Sequence, residues 1–201
     1  MDPSAIGIPA DSPYKTMKDM VDAGKAKPET IKFGSDGPMT DDHLGIFLLE
    51  KASGAKFANV GFDGAAANIA ALLGNHIDAS FGHVGDFVAT SKDGKVKVLA
   101  VADKERSTYF KNTLTLIEQG YNVANSSTRT IVVPAGTPKA AVDALSEAMK
   151  TAWDDAEHKK RMEDAGLTLR FLDGPATQAY SDEMDKLAKD LVAQVRTNTK
   201  P

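Results

Sequence analysis

Three short loops carry most of the residues able to handle a small charged molecule. The first holds Gly34, Ser35, Asp36, Gly37, Pro38, Met39 and Thr40, where glycines let backbone approach a ligand and Thr40 can cap a helix beginning at Asp41. Its N–H groups could hold a carboxylate, with His43 in the following helix as a supporting hydrogen-bonding residue. The second loop, with Gly61, Phe62, Asp63, Gly64 and Ala65, sets a helix N-terminus beside one aromatic wall, a combination suited to a ligand with an apolar stem. The third, with Gly82, His83, Val84, Gly85 and Asp86, adds a further backbone turn after Phe81. One helix terminus contributes roughly 0.3–1 kcal/mol to a bound anion, so several must converge for useful affinity.

Each loop also has a plainer explanation, because Gly, Asp and Ser after a strand are ordinary turn chemistry. His43 could equally be a packing histidine. His83 and Asp86 could be metal ligands, yet two neighbours without a third at defined spacing are a weak signal. No metal and no cofactor is expected. Catalytic motifs are mostly absent: Phe33 stands where a G-x-S-x-G nucleophile elbow needs its first glycine, and Gly94-Lys95 is followed by Val96 where a P-loop needs Ser or Thr. A hydrolase built from Ser35, His43 and an aspartate can be drawn on paper, but proximity in sequence does not establish geometry. The residues favour a binder over an enzyme.

The elements that must position these loops alternate along the chain, which argues for an α/β protein with a largely parallel sheet. Hydrophobic runs predict strands at 31–33, 57–60, 77–81, 96–101, 129–133 and 167–171. Helical spacing predicts helices at 16–24, 41–53, 65–73, 84–91, 138–154 and 176–195. All three loops then fall after a strand and before a helix, where open parallel sheets place ligand sites. In the helix from Pro138, Thr137 can cap, and Val142, Leu145, Met149 and Ala152 share one face expected to pack into a core. The last helix repeats the pattern with Tyr180, Met184, Leu187, Leu191 and Val195, after the breaker pair Gly174-Pro175. A polar stretch at 122–128 offers the best domain boundary and a possible hinge.

Composition narrows the partners. The 201 residues are 42% apolar and 26% charged, typical of a globular chain able to bury a core. A formal net charge of -4 supplies no broad positive field for nucleic acid or anionic lipid. Without cysteine, disulfides and thiolate metal sites are excluded. No apolar run approaches the roughly 18 residues that span a bilayer. The start, Met1-Asp2-Pro3-Ser4, lacks a basic and an apolar signal region, so any export signal is expected to lie outside this chain.

Several motifs in register carry a resemblance. Pro13-Tyr14-Lys15-Thr16 precedes Lys32-Phe33-Gly34-Ser35, with His43 in the next helix. Gly64 precedes a helix that leads to Gly74-Asn75-His76-Ile77-Asp78, and Gly94-Lys95-Val96-Lys97-Val98-Leu99-Ala100-Val101 precedes Arg106-Ser107. Thr115-Leu116-Ile117-Glu118-Gln119-Gly120-Tyr121 and Val133-Pro134-Ala135-Gly136-Thr137-Pro138 complete the set. Together they resemble the C-terminal two thirds of the tripartite tricarboxylate transporter solute receptors, also called Bug receptors.

That resemblance implies a type II periplasmic binding protein-like α/β fold, here one complete lobe plus the C-terminal part of the other. It implies residues 1–124 as the ligand-gripping lobe, with residues 125–201 returning to an incomplete first lobe. It further implies a periplasmic receptor that takes a small carboxylate metabolite to transporter membrane subunits, with exposed apolar surface and self-association expected. A ligand-sensing or assembly module without transport is the alternative. Two departures bear on the ligand: Phe62-Asp63-Gly64 stands where the family usually has Tyr-Lys-Gly, and Thr128-Arg129-Thr130 precedes the Pro-Ala-Gly-Thr-Pro signature. Asp36 and Asp63 together disfavour a polycarboxylate unless Arg129 compensates, which points to an amino-carboxylate, a cation-bound or a neutral ligand.

Overall fold

A computed structural model describes residues 1–168 and 170–198, with backbone alone for residues 191 and 193–198. Its described residues divide into two compact units, one of residues 2–127 with 166–168, the other of Met1, 128–165 and 170–198.

The larger unit is built on strands β1 (Asp2–Pro9), β2 (Lys32–Ser35), β3 (Ala58–Gly61), β4 (Ala79–His83), β5 (Val96–Ala102) and the two-residue β6 (Ser126–Ser127). Their order is β3-β2-β4-β1-β5, with β6 added to β1. Strand β2 runs parallel to β3 and β4, whereas β1 is antiparallel to β4, β5 and β6. The expected largely parallel sheet is therefore a mixed one. Its longest strand, the interior β1, is not predicted from the sequence because Pro3, Gly7 and Pro9 weaken the strand signal. Both prolines fall near strand ends, and the strand is buried throughout.

Alternation along β1 feeds two cores. Ile6 and Ile8 join Phe33, Phe81 and Leu99 on one face, together with Met17 and Met20 of α1 (Met17–Ala26) and Ile46 and Leu49 of α2 (Asp41–Ser53). On the other face Ala5 joins Val98 and Val101, packed by Leu72 of α3 (Ala65–Leu73) and Phe87 of α4 (Val84–Lys92). Burying one such large side chain contributes roughly 1.5–3 kcal/mol, so the helices are fixed to both faces of the sheet. Two glycines let side chains reach the backbone. A Cβ on Gly7 would lie 2.5 Å from Phe87, and one on Gly45 would lie 2.4 Å from Phe81.

The second unit carries α5 (Lys139–Asp154), α6 (Ala156–Asp164) and α7 (Gly174–Asn198). Residues 129–133, and the described residues among 167–171, form no strand, contrary to the sequence reading. A strand needs a partner, and Ile131 and Val132 stand 64% and 82% exposed instead. Likewise the α5 stripe is not buried, with Leu145 and Met149 both exposed. Thr137 does not cap α5; its hydroxyl donates to the Pro134 carbonyl at 2.7 Å. Helix α6 lacks an apolar stripe and so went unnoticed, although Asp155 caps it by accepting from His158 N–H at 2.7 Å. The pair Gly174-Pro175 opens α7 in place of preceding it, since Asp173 caps that helix by accepting from Ala176 N–H at 2.9 Å. Tyr180, Met184 and Leu187 are half-buried, while the side chains of Leu191 and Val195 lie outside the described ones. Among the described residues no helix is long and apolar enough to cross a membrane.

Candidate functional site

Strands β2, β3 and β4 are parallel, so their carboxyl ends deliver the three loops to one edge of the sheet. Loops one and two are stitched together by backbone: Phe62 N–H donates to the Ser35 carbonyl at 2.9 Å, and Gly64 N–H to that of Asp36 at 3.3 Å. Gly37, at φ 142°, turns the backbone within loop one, and a Cβ there would meet the Phe62 carbonyl of loop two at 3.4 Å. Gly34 is needed for a different reason, because a Cβ on it would lie 2.2 Å from Asn68 Oδ1.

Several expected ligand donors already have internal partners. Ser35 is fully buried, and its hydroxyl donates to Asn59 Oδ1 at 2.9 Å. Thr40 caps α2 by accepting from His43 N–H at 3.4 Å while its own hydroxyl donates to the Gly37 carbonyl at 2.9 Å. His43 Nδ1 accepts from Met39 N–H at 3.1 Å, which helps hold Met39 at φ 62°. Burial lowers the His43 pKa and keeps that nitrogen an acceptor. Helix α3 differs: its N-cap is Gly64, at φ 90°, which offers no side-chain cap, so the first-turn N–H groups from Ala65 onward have no intrahelical or capping side-chain partner. Phe62 leans on the second core, and Asp63 is exposed beside it.

The third loop brings charge together. His83 Nε2 lies 2.9 Å from Asp41 Oδ2, and Asp86 Oδ2 lies 3.6 Å from His83 Nδ1 while accepting from His83 N–H at 2.8 Å. Asp42 is buried behind Asp41, and Asp36 accepts from Asn68 Nδ2 at 3.1 Å. Asn125 Nδ2 donates to the Asp41 carbonyl at 3.0 Å and to Ser4 Oγ at 2.9 Å, fixing the start of α2 against β1. These placements set the protonation. Burial disfavours charge on His83, but the bonds to Asp41 and Asp86 outweigh it and push the pKa up to about 11. Asp41, also opposed by burial, is held below its ordinary value by His83. Asp42 is pushed up to about 8 by burial, which the His83 charge only partly offsets. Asp36 is raised by burial too.

Gly34 to Thr40, His43, Gly61 to Ala65, Gly82 and Asp86 thus share one end of the larger unit, and Arg129 lies on the coil ahead of α5 in the other unit. The sequence reading passed over Asp41, Asp42 and Asn68. Two acids in a first helical turn are routine complements to the helix dipole, so they gave no signal of a histidine arriving from β4. A hollow of about 220 Å³, lined by Pro9, Asp11, Ser12, Pro13, Asn75, Ile77 and Asp78, lies at the opposite end of the sheet from the loops.

Known proteins share this fold. A TctC solute-binding protein from Polaromonas superposes with a TM-score of 0.85 at 27% identity, over 96% of this chain and 66% of that one. An R. palustris protein solved with adipate gives a TM-score of 0.77 at 18% identity, over 94% of this chain and 64% of that one, and so supports the fold alone. In sequence, the UPF0065 protein in the gbd 5′ region of Cupriavidus necator is 28% identical over 94% of this chain. The chain spans 57% of the length of that relative. The family profile of the tripartite tricarboxylate transporter family receptor matches residues 1–196. With its mixed sheet, its loop edge and its motifs all in register, the chain belongs to that receptor family.

Proposed function

We propose that the chain serves as an extracytoplasmic solute-binding protein, capturing a small carboxylate or amino-carboxylate metabolite for the membrane subunits of a tripartite tricarboxylate transporter. Residues 1–124 form the lobe that grips the ligand, and residues 125–201 belong to the other lobe. The observation that carries this reading is the uncapped N-terminus of α3 beside loop one. Its first-turn N–H groups, from Ala65 onward, are donors suited to a carboxylate, with Phe62 as the apolar wall and Gly37 allowing close approach. Thr40 and His43 support the loop, and Gly82 and Asp86 close the third side. Adipate in the R. palustris neighbour marks dicarboxylates as a class to test.

The acids Asp36, Asp63 and Asp86 oppose a polycarboxylate and favour a ligand that carries an amino group. Binding proceeds without chemical turnover. A hydrolase would need a base facing Ser35, but that hydroxyl donates to Asn59 and the His43 Nδ1 lone pair accepts from Met39 N–H. Titration with citrate, succinate, aspartate and an uncharged amide tests the reading: aspartate binds more tightly than citrate, and Asp63→Lys strengthens citrate. Tight citrate binding indifferent to Asp63→Lys removes the charge argument, and binding to none of the four removes the receptor reading.

A further inference from the structure

We propose that Asp41, Asp42 and His83 form a binding site for a divalent transition cation. One carboxylate oxygen from each aspartate and one ring nitrogen of His83 lie within 4.8 Å of one another. The first turn of α2 supplies the two acids, and the junction of β4 and α4 supplies the imidazole. Both places are rigid. Thr40 and Asn125 fix the helix start, and Asp86 fixes the backbone at His83.

A second, independent observation points to a ligand. Asp42 is 0% exposed, and among the described residues its Oδ1 has no hydrogen-bond partner. Its other oxygen accepts only from Asp36 N–H, at a long 3.4 Å. A carboxyl group sealed from water with so little hydrogen bonding has only the neighbouring His83 to offset its charge, and a divalent cation shared with Asp41, displacing the His83 ring proton, would supply a stronger partner. Asp86, 3.6 Å from His83 Nδ1, is placed to hold the far side of the ring, as carboxylates commonly do behind a metal-bound histidine.

The donor set selects the ion class. One imidazole with two carboxylates suits zinc, cobalt or manganese better than calcium, which prefers six to eight oxygens. Three protein ligands leave at least one position for water or for an oxygen of a bound small molecule. Donors on one tetrahedral ion stand roughly 3.4 Å apart, so the His83–Asp41 contact of 2.9 Å would open slightly and donors as far apart as 4.8 Å would close, by torsional changes of the side chains. The inference rests on these residues alone and holds whichever metabolite the loops accept.

Calorimetric titration of the full chain with Zn²⁺ and with Co²⁺, metabolite-free and after chelator treatment, tests it. Saturable stoichiometric binding with a rise in thermal midpoint is expected, together with a Co²⁺ absorption band that changes in His83→Gln. Affinity should fall about tenfold or more in Asp42→Asn, in His83→Gln and in Asp41→Asn, and stay unchanged in Asp22→Asn on the surface of α1. Three variants guard against one failing to fold. Absence of saturable binding overturns the proposal, as does binding that survives in the folded variants, which would assign the ion to a surface histidine such as His76 or His158.

Discussion

His83 Nε2 lies 2.9 Å from Asp41 Oδ2, and this contact ties the turn after β4 to the first turn of α2, two segments about forty residues apart in the chain. The pair is partly buried, with side-chain exposures of 16% and 36%. His83→Gln should therefore destabilise the fold by about 1–2 kcal/mol, less than a sealed ion pair, because Asp41 can rehydrate. Urea unfolding of His83→Gln, Asp41→Asn and the double variant measures it. Strictly additive losses would mean that the two residues are not coupled.

Gly34→Ala should be costly for a methyl group. Its Cβ would stand 2.2 Å from Asn68 Oδ1 and 2.5 Å from Ile77 Cδ1, both in the packed interior between β2 and α3. Overpacking of this kind costs about 1–3 kcal/mol. An unchanged denaturation midpoint would show that Asn68 can swing aside.

Acid should weaken the fold through Glu118. Its carboxylate accepts from Arg106 Nε at 2.9 and 3.0 Å and from Thr115 N–H at 2.8 Å, and these bonds hold its pKa below the usual carboxylate value. Because the folded value is the lower one, the contribution is complete above the unfolded pKa and disappears as pH falls through the folded pKa. The stability gap between the native chain and Glu118→Gln should be constant near neutrality and shrink in acid. A gap that widens on acidification would reverse the assignment, and added salt should narrow it at neutral pH.

The irregular stretch holding Ile131 and Val132 should promote association between copies, as we expect of exposed apolar side chains on backbone without a strand partner among the described residues. Sedimentation at rising concentration should show self-association in the native chain and less of it in Val132→Lys. Equal behaviour of the two would exonerate this stretch.

Sequence alone determined the loops and most of the elements around them, because the signals are local. Thr40 before Asp41, Gly64 before the apolar helix of α3, and the glycine that follows a short β-branched run each act within a few residues. Family motifs in register supplied the fold class for the same reason. Tertiary structure decided what depends on pairing and burial. Strand β1 takes its interior place because Ile6 and Ala5 each find a core, which no count of its prolines reveals. The α5 stripe has helical spacing and yet stays exposed, since periodicity states which face could be covered and not whether anything covers it. His83 and Asp86 looked like two ligands without a third. Only the sheet, by setting β4 beside β2 in parallel, delivers His83 to the acids at the start of α2, whose charge holds its proton against burial.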